Sequence, residues 1–295
     1  MAHENFKAGF VNILGKPNAG KSTLLNLLVG ERLAIVTQKA QTTRHRIVGI
    51  VNEPDCQIIF SDTPGIIQPK YQLQSAMMKA VMSCIDDTDV LLLVVSPADQ
   101  KDSEAIVEIA KKIKGEIILV FNKTDLLMPE ALAQQLQFWQ EKVTAAHYVP
   151  VSALQNKGID IVKKHIVSLL PLHPPYFQED ALTDRTERFF VSEIIREKIL
   201  LQYAQEIPYS VEVVIDAFKE KEELTSIRAE ILVNRNSQKA IIIGKGGESI
   251  KKLGIEARKD IEKFLDTKVF LELFVKVAPK WRENAQSLKK LGYDI

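Results

Sequence analysis

GKPNAGKS, residues 15–22, is the stretch that decides the fold. Gly15, Lys16, Pro17, Asn18, Ala19, Gly20, Lys21 and Ser22 fit the pattern G-x-x-x-x-G-K-[ST]. An apolar run at residues 9–14 precedes it and a helical run at 23–29 follows. Glycines let a backbone wrap closely round phosphate oxygens with its N–H groups turned inward. The N-terminus of the following helix adds positive potential. Lys21 is placed to reach the β and γ phosphates of a nucleotide, and Ser22 to hold Mg2+.

Further along, apolar strand-like runs fall at 47–51, 57–60, 90–95, 117–121 and 148–151. Amphipathic stretches at 103–113 and 130–143 separate the later ones, and 159–170 follows the last. Near-continuous apolar strands alternating with helices predict an α/β domain, a mostly parallel sheet covered by helices. The pattern stops in PLHPPYFQED, residues 171–180, whose three prolines cannot continue a helix. The expected division is residues 1–172, a linker at 173–183, and a second domain at 184–295.

Two strand ends select the nucleotide. Asn122, Lys123, Thr124 and Asp125 directly follow the run 117–121. A carboxylate at Asp125 can accept from guanine N1–H and the 2-amino group, whereas adenine would leave it unpaired. Asn122 is expected to brace the loop and contact the base, and the Lys123 stem to cover the ring. Ser152, Ala153 and Leu154 follow the last strand, with the Ala153 N–H expected to meet guanine O6. The expected ligand is therefore GTP or GDP, with Mg2+.

Asp62, Thr63, Pro64 and Gly65 follow the run 57–60. Asp62 suits a water-mediated Mg2+ role, and the Gly65 N–H suits the γ-phosphate. Residues 38–46, QKAQTTRHR, are polar and read as a mobile loop with a threonine for Mg2+. Thr43 is preferred over Thr42. Ile66 stands where a Ras-like GTPase uses glutamine to orient water, which an isoleucine cannot do. Hydrolysis is then slow, or water is positioned by other means.

The second half has a different grammar. Residues 188–205 are helical in pattern, 209–219 and 227–233 alternate, 240–243 form a short helix, and 249–265 are helical again. Residues 268–277 alternate, and a last helix lies near 281–290. This is a small α+β domain with an open sheet face. Ile243, Gly244, Lys245, Gly246 and Gly247 carry G-x-x-G between an apolar triplet and a helix, which marks a KH domain of type II. The glycines admit an RNA backbone and an apolar groove beside them takes unstacked bases. Lys245, Lys251, Lys252, Lys280 and Arg282 are the phosphate-contact candidates. Trp281 either anchors the last helix, the preferred reading, or stacks on a base; Trp139 is expected in the core.

These residues together resemble a TRAFAC-class GTPase, and KAQTTRHRIVGI, residues 39–50, is similar to the Era family. The resemblance covers the whole chain. It implies a bacterial GTPase whose GTP-bound form captures the 3′ end of 16S ribosomal RNA and acts in assembly of the small (30S) ribosomal subunit. It also implies peripheral association with the inner membrane, although no amphipathic anchor stands out in the sequence; a monomer is expected, and the two isolated cysteines fit a reducing cytoplasm. Related GTPases with an apolar residue at the Ile66 position include some that use K+, held in part by a P-loop asparagine; Asn18 occupies that position. The motifs also leave room for a constitutive RNA-binding scaffold with a structural nucleotide site, or a metabolic kinase or ATPase. Turnover separates the first and nucleotide preference the second.

Bulk numbers bound these readings. The 295 residues carry 39 Lys plus Arg and 38 Asp plus Glu, with 46% hydrophobic residues, which excludes wholesale disorder. A net charge of +1, taken over the whole chain, argues against a polyanionic partner. Residues 235–290, however, hold fourteen basic and seven acidic side chains, so the total conceals a basic region. No apolar run reaches membrane-spanning length. Cys56 and Cys84 read as buried thiols, and the histidines at 3, 45, 147, 165 and 173 lack metal-ligand spacing.

Overall fold

The computed structural model describes residues 5–37, 39 and 41–295. Gln38 and Ala40 of the expected mobile loop, and His3, lie outside the described residues. The chain divides into two compact units, residues 1–69 with 74–184, and residues 70–73 with 185–295.

The first unit runs β1 (Lys7–Leu14), α1 (Lys21–Val29), β2 (Ile47–Glu53), β3 (Cys56–Asp62), α2 (Gln72–Asp86, whose first two residues fall to the second unit), β4 (Val90–Val95), α3 (Glu104–Ala110), β5 (Glu116–Phe121), α4 (Pro129–Lys142), β6 (His147–Pro150) and α5 (Ile159–Leu169). Its sheet has the order β2-β3-β1-β4-β5-β6. Only β2, hairpinned to β3, is antiparallel. All six residues of β4 are buried, because helices cover both faces. The six-stranded order places the C-terminal ends of β1, β3, β5 and β6 along one rim, where open α/β sheets bind ligands.

Several boundaries differ from the sequence reading. Helix α2 is additional to the elements read from the sequence pattern. The expected helix at 103–113 is shorter, because a 3-10 turn at Pro97–Asp102 precedes it and residues 111–113 leave it. The segment 173–183, read as a linker, is bound to the first unit. Gln57 accepts from the N–H groups of Tyr176 and Phe177 at 2.7 and 2.9 Å, and donates to the Phe177 carbonyl at 2.9 Å. Ile50 N–H donates to the Leu182 carbonyl at 2.8 Å, and Thr183 Oγ1 to that of Val48 at 2.6 Å. The division therefore falls after Asp184.

The second unit contains α6 (Glu187–Gln202), α7 (Ile207–Ser210), β7 (Glu212–Lys219), β8 (Leu224–Val233), α8 (Asn236–Ile243), α9 (Glu248–Leu265), β9 (Lys268–Val277) and α10 (Ala285–Lys290). Strand β7 pairs antiparallel with β8, with a bulge between Ile215 and Ala217, and β9 pairs parallel with β8. Alternate residues of β8 and β9, including Ile227, Ala229, Ile231, Val269 and Val275, pack with Val191, Ile195, Leu253 and Ile261 of the helices. Tyr209 and Ser210 belong to α7 rather than to the following strand, because Pro208 starts a helical turn there. The last helix is broken at Asn284, whose side chain accepts from the Ser287 N–H and caps α10. Trp281 is buried and donates from Nε1 to the Ser210 carbonyl at 3.1 Å, so it is the anchor; Trp139 lies in the core of the first unit.

Candidate nucleotide site and nucleic-acid groove

The P-loop leaves β1 at Leu14 and enters α1 at Lys21. Gly15 and Gly20 have φ of 157° and 100°, and Asn18 has φ of 63°. A Cβ on Gly20 would stand 2.1 Å from Asn122 Nδ2, so only glycine permits the packing of these two loops. Lys21 is buried and donates from Nζ to the Lys16 carbonyl at 3.0 Å. Burial lowers its pKa, against the opposing pull of Asp62 and Asp99. A phosphate beside the ammonium would oppose that shift. The Lys16 side chain turns elsewhere, to Asp102.

Three expected metal residues converge. Ser22 Oγ donates to Asp62 Oδ2 at 2.6 Å, Thr43 Oγ1 donates to the same oxygen at 2.8 Å, and the two hydroxyls are 3.0 Å apart. Thr43, not Thr42, occupies this position; Thr42 lines the adjoining cleft. Asp62 is fully buried, which raises its pKa, and Oδ1 has no hydrogen-bond partner. A buried carboxylate beside two hydroxyls and an ammonium is an oxygen donor set suited to Mg2+ next to phosphate. Asp99, which the sequence reading did not single out, is fixed by the Ser96 N–H and Oγ, both at 2.7 Å from its Oδ2. The Ser-x-x-Asp spacing after β4 was the available signal.

The segment after β3 packs against the P-loop. Thr63 Oγ1 donates to the Ile13 carbonyl at 2.9 Å, so it is structural, and Pro64 is buried behind it. A Cβ on Gly65 would lie 2.6 Å from Pro17 N, which keeps this backbone at the phosphate loop. Ile66 N–H donates to the Gly15 carbonyl at 3.1 Å and its side chain is only 6% exposed, packed in the core. It does not face the cleft as a water-orienting residue would.

The guanine loops lie at the ends of β5 and β6. Asn122 donates from Nδ2 to the Ala19 carbonyl at 2.8 Å and accepts the Ala153 N–H at 3.0 Å. Asn122 is thus a brace, buried between loops; one N–H of its Nδ2 serves the Ala19 carbonyl, and the residue still lines the cleft where its expected base contact would form. The Ala153 N–H, expected for guanine O6, is spent on Asn122. Ser152 Oγ donates to Asp125 Oδ1 and orients that carboxylate. Lys123 has φ of 64°, and Thr124 bonds the Val151 carbonyl through N–H and Oγ1 at 3.1 and 3.0 Å. Lys123, Asp125, Ala153 and exposed Leu154 line a cleft of about 560 Å3 that also reaches Asn18, Lys21, Ser22, Thr43 and Gly65. Phosphate, metal and base residues thus share one cavity of nucleotide size.

In the second unit Gly244, Gly246 and Gly247 have φ of 75°, 61° and 81°. A Cβ on Gly244 would meet Ser249 Cβ at 2.5 Å, while Gly246 and Gly247 have nothing within 4 Å of that position. The loop root is clamped by Tyr203, which donates to the Ile242 carbonyl at 2.9 Å, and by Gln202, which donates to the Ser249 carbonyl at 2.8 Å. Ile243 packs against the core, and Lys245, Lys252 and Lys280 are exposed. Lys251, Ile250, Gly254 and Arg258 of α9 face Phe270 and Leu273 of β9 across a groove of about 350 Å3. Arg258 and Phe270 were not singled out from the sequence. Arg282 donates to the Tyr209 carbonyl at 3.1 Å, so holding α7 is one of its tasks.

A phosphate loop, a guanine-selective rim and a hydroxyl–carboxylate metal set define a P-loop GTPase, here joined in one chain to a KH module. Residues 10–123 match the family model of a 50S ribosome-binding GTPase, and 206–282 that of the KH domain. GTPase Era of Geotalea uraniireducens is 46% identical over 299 residues, covering 100% of each chain. The chloroplastic GTPase ERA-like protein of Oryza sativa is 46% identical over 98% of this chain and 70% of its own. Era solved with MgGDPNP and nucleotides 1506–1542 of 16S ribosomal RNA is 37% identical, with a TM-score of 0.92 over 98% of this chain and 100% of that one. A variant of Aquifex aeolicus Era bound to GDP·AlF4− is 36% identical with a TM-score of 0.92, over the same shares of the two chains. The chain belongs to the Era family of GTPases.

Proposed function

We propose that the chain is a GTP-driven switch whose KH unit binds the 3′ end of 16S ribosomal RNA during assembly of the small ribosomal subunit. The observation that carries the switch is the meeting of Ser22, Thr43 and Asp62 from three separate segments. Thr43 lies in a polar loop of low apolar content, so its position depends on what holds it. When bound, Mg2+ neutralises phosphate charge between these oxygens. Lys21 and the inward P-loop amides hold the phosphates, Gly65 brings its backbone alongside, and Asp125 selects guanine. Loss of the γ-phosphate would release the loop carrying Thr43 and the segment after Gly65.

The RNA reading is supported by the open Gly246–Gly247 backbone, the adjoining groove and the basic residues around them. Its target is supported by the relative solved with nucleotides 1506–1542 of 16S ribosomal RNA. Because Ile66 is in the core, K+ held near Asn18 is proposed to assist hydrolysis. Among the described residues no helix is long and apolar enough to cross a membrane. A cytoplasmic monomer with peripheral membrane association completes the proposal, and flotation with vesicles reads the last part. Crosslinking in cells followed by sequencing of bound RNA tests the target. Recovery of the small-subunit RNA 3′ end is expected, and its absence from the enriched RNA overturns the assignment.

A further inference from the structure

Odd-numbered residues 269–277 of β9 feed the core, so even-numbered ones face away from it. On that open face Phe270 is 53% exposed and Phe274 is 47% exposed. Strand rise sets them about 13 Å apart, a span that a few nucleotides cover. Phe270 already forms part of the groove beside the G-x-x-G loop. Phe274 walls a separate depression of about 460 Å3 bordered by Arg228, Lys239 and Lys276 and by the carboxylates of Asp216 and Glu230. The Arg228 guanidinium lies over the Phe274 ring, its Cζ 5.3 Å from the centroid.

We infer that the open face of β8 and β9 is a stacking platform that continues the RNA path out of the groove. This rests on the KH unit binding single-stranded RNA. A base leaving the groove stacks on Phe270, and a later base stacks on Phe274 beside Arg228. Flat rings presented to solvent, each next to hydrogen-bond donors, are what unpaired bases use, since every base has a π-face. A protein partner would call for contiguous apolar surface. Here ion pairs break it up, Arg228 with Glu272 at 3.5 Å and Lys276 with Glu230 at 3.2 Å. Those carboxylates also neutralise the cations, so the platform adds stacking with little added salt dependence.

The test uses the full chain and nested RNAs from the 3′ end of nucleotides 1506–1542. The shortest is a four-nucleotide RNA, the length that a G-x-x-G loop clamps. Phe274→Ala is expected to weaken the longer RNAs roughly five- to 150-fold and leave the four-nucleotide RNA unchanged. Phe274→Trp should retain the longer-RNA affinity, and the salt slope should rise little with length. The inference is overturned if Phe274→Ala leaves long-RNA affinity intact, including the case where it instead weakens binding to RNA-free ribosomal proteins. It is overturned equally if short and long RNAs weaken together. Failure of the wild-type chain to bind any of these RNAs would bring down the RNA reading itself, a result distinct from the others.

Discussion

Ser22 Oγ donates to Asp62 Oδ2 at 2.6 Å, joining the residue after the P-loop lysine to the last residue of β3. The bond fixes the end of β3 against the start of α1, where phosphate and metal would meet. Ser22→Ala removes one arm of that donor set and leaves the fold intact, since the hydroxyl is not packed in the core. Mg2+ should then stop tightening GTP binding. The expected loss is at least about tenfold in the presence of Mg2+, with little change in EDTA. Fluorescence titration of a labelled nucleotide with and without Mg2+ checks it.

Asp125 is oriented by Ser152 and presents acceptors to a purine edge that has donors. Asp125→Asn replaces one acceptor by an N–H2 donor, which opposes guanine and suits xanthine, whose C2 carries an oxygen. GTP affinity should fall about 100-fold or more, since two charge-assisted hydrogen bonds are affected. XTP should bind better than GTP, and competition binding reads the order.

Ile66 is packed in the core with its N–H on the Gly15 carbonyl. Restoring the water-orienting side chain with Ile66→Gln should therefore fail to raise turnover. Burying the amide should cost about 1–3 kcal/mol, seen as a lower melting temperature. Faster hydrolysis without loss of stability would show that this side chain reaches the cleft.

Asn18 stands at φ 63° on the rim of the nucleotide cleft. Turnover in KCl should exceed that in NaCl several-fold. Asn18→Gly, which keeps the left-handed backbone without strain, should erase the difference. Equal rates of the wild-type chain in the two salts contradict the K+ proposal.

The motifs were legible because each follows an apolar strand, and strand ends on one rim bring distant segments together. Asp62 and Asp125 could be placed before any geometry was known. The partners of Asn122 could not, because they depend on how closely the P-loop approaches at Gly20 and how the β6 loop folds back. The prolines at 171, 174 and 175 signalled the end of a helix. They gave no sign that Gln57, more than a hundred residues earlier, would hold the following segment. Alternation at 268–277 marked two faces of a strand without singling out Phe270 or Phe274. Their exposure and the Arg228 contact needed the register of β8 against β9.

The central claim is that the nucleotide held by Ser22, Thr43 and Asp62 sets the RNA affinity of the KH unit. Linkage then makes GTP and RNA affinities reciprocal. The direct measurement is the dissociation constant for the 3′-terminal 16S RNA with GDP·Mg2+ and with a non-hydrolysable GTP analogue·Mg2+. Tighter binding with the analogue, by about fivefold or more, is predicted. Indistinguishable constants would contradict the account.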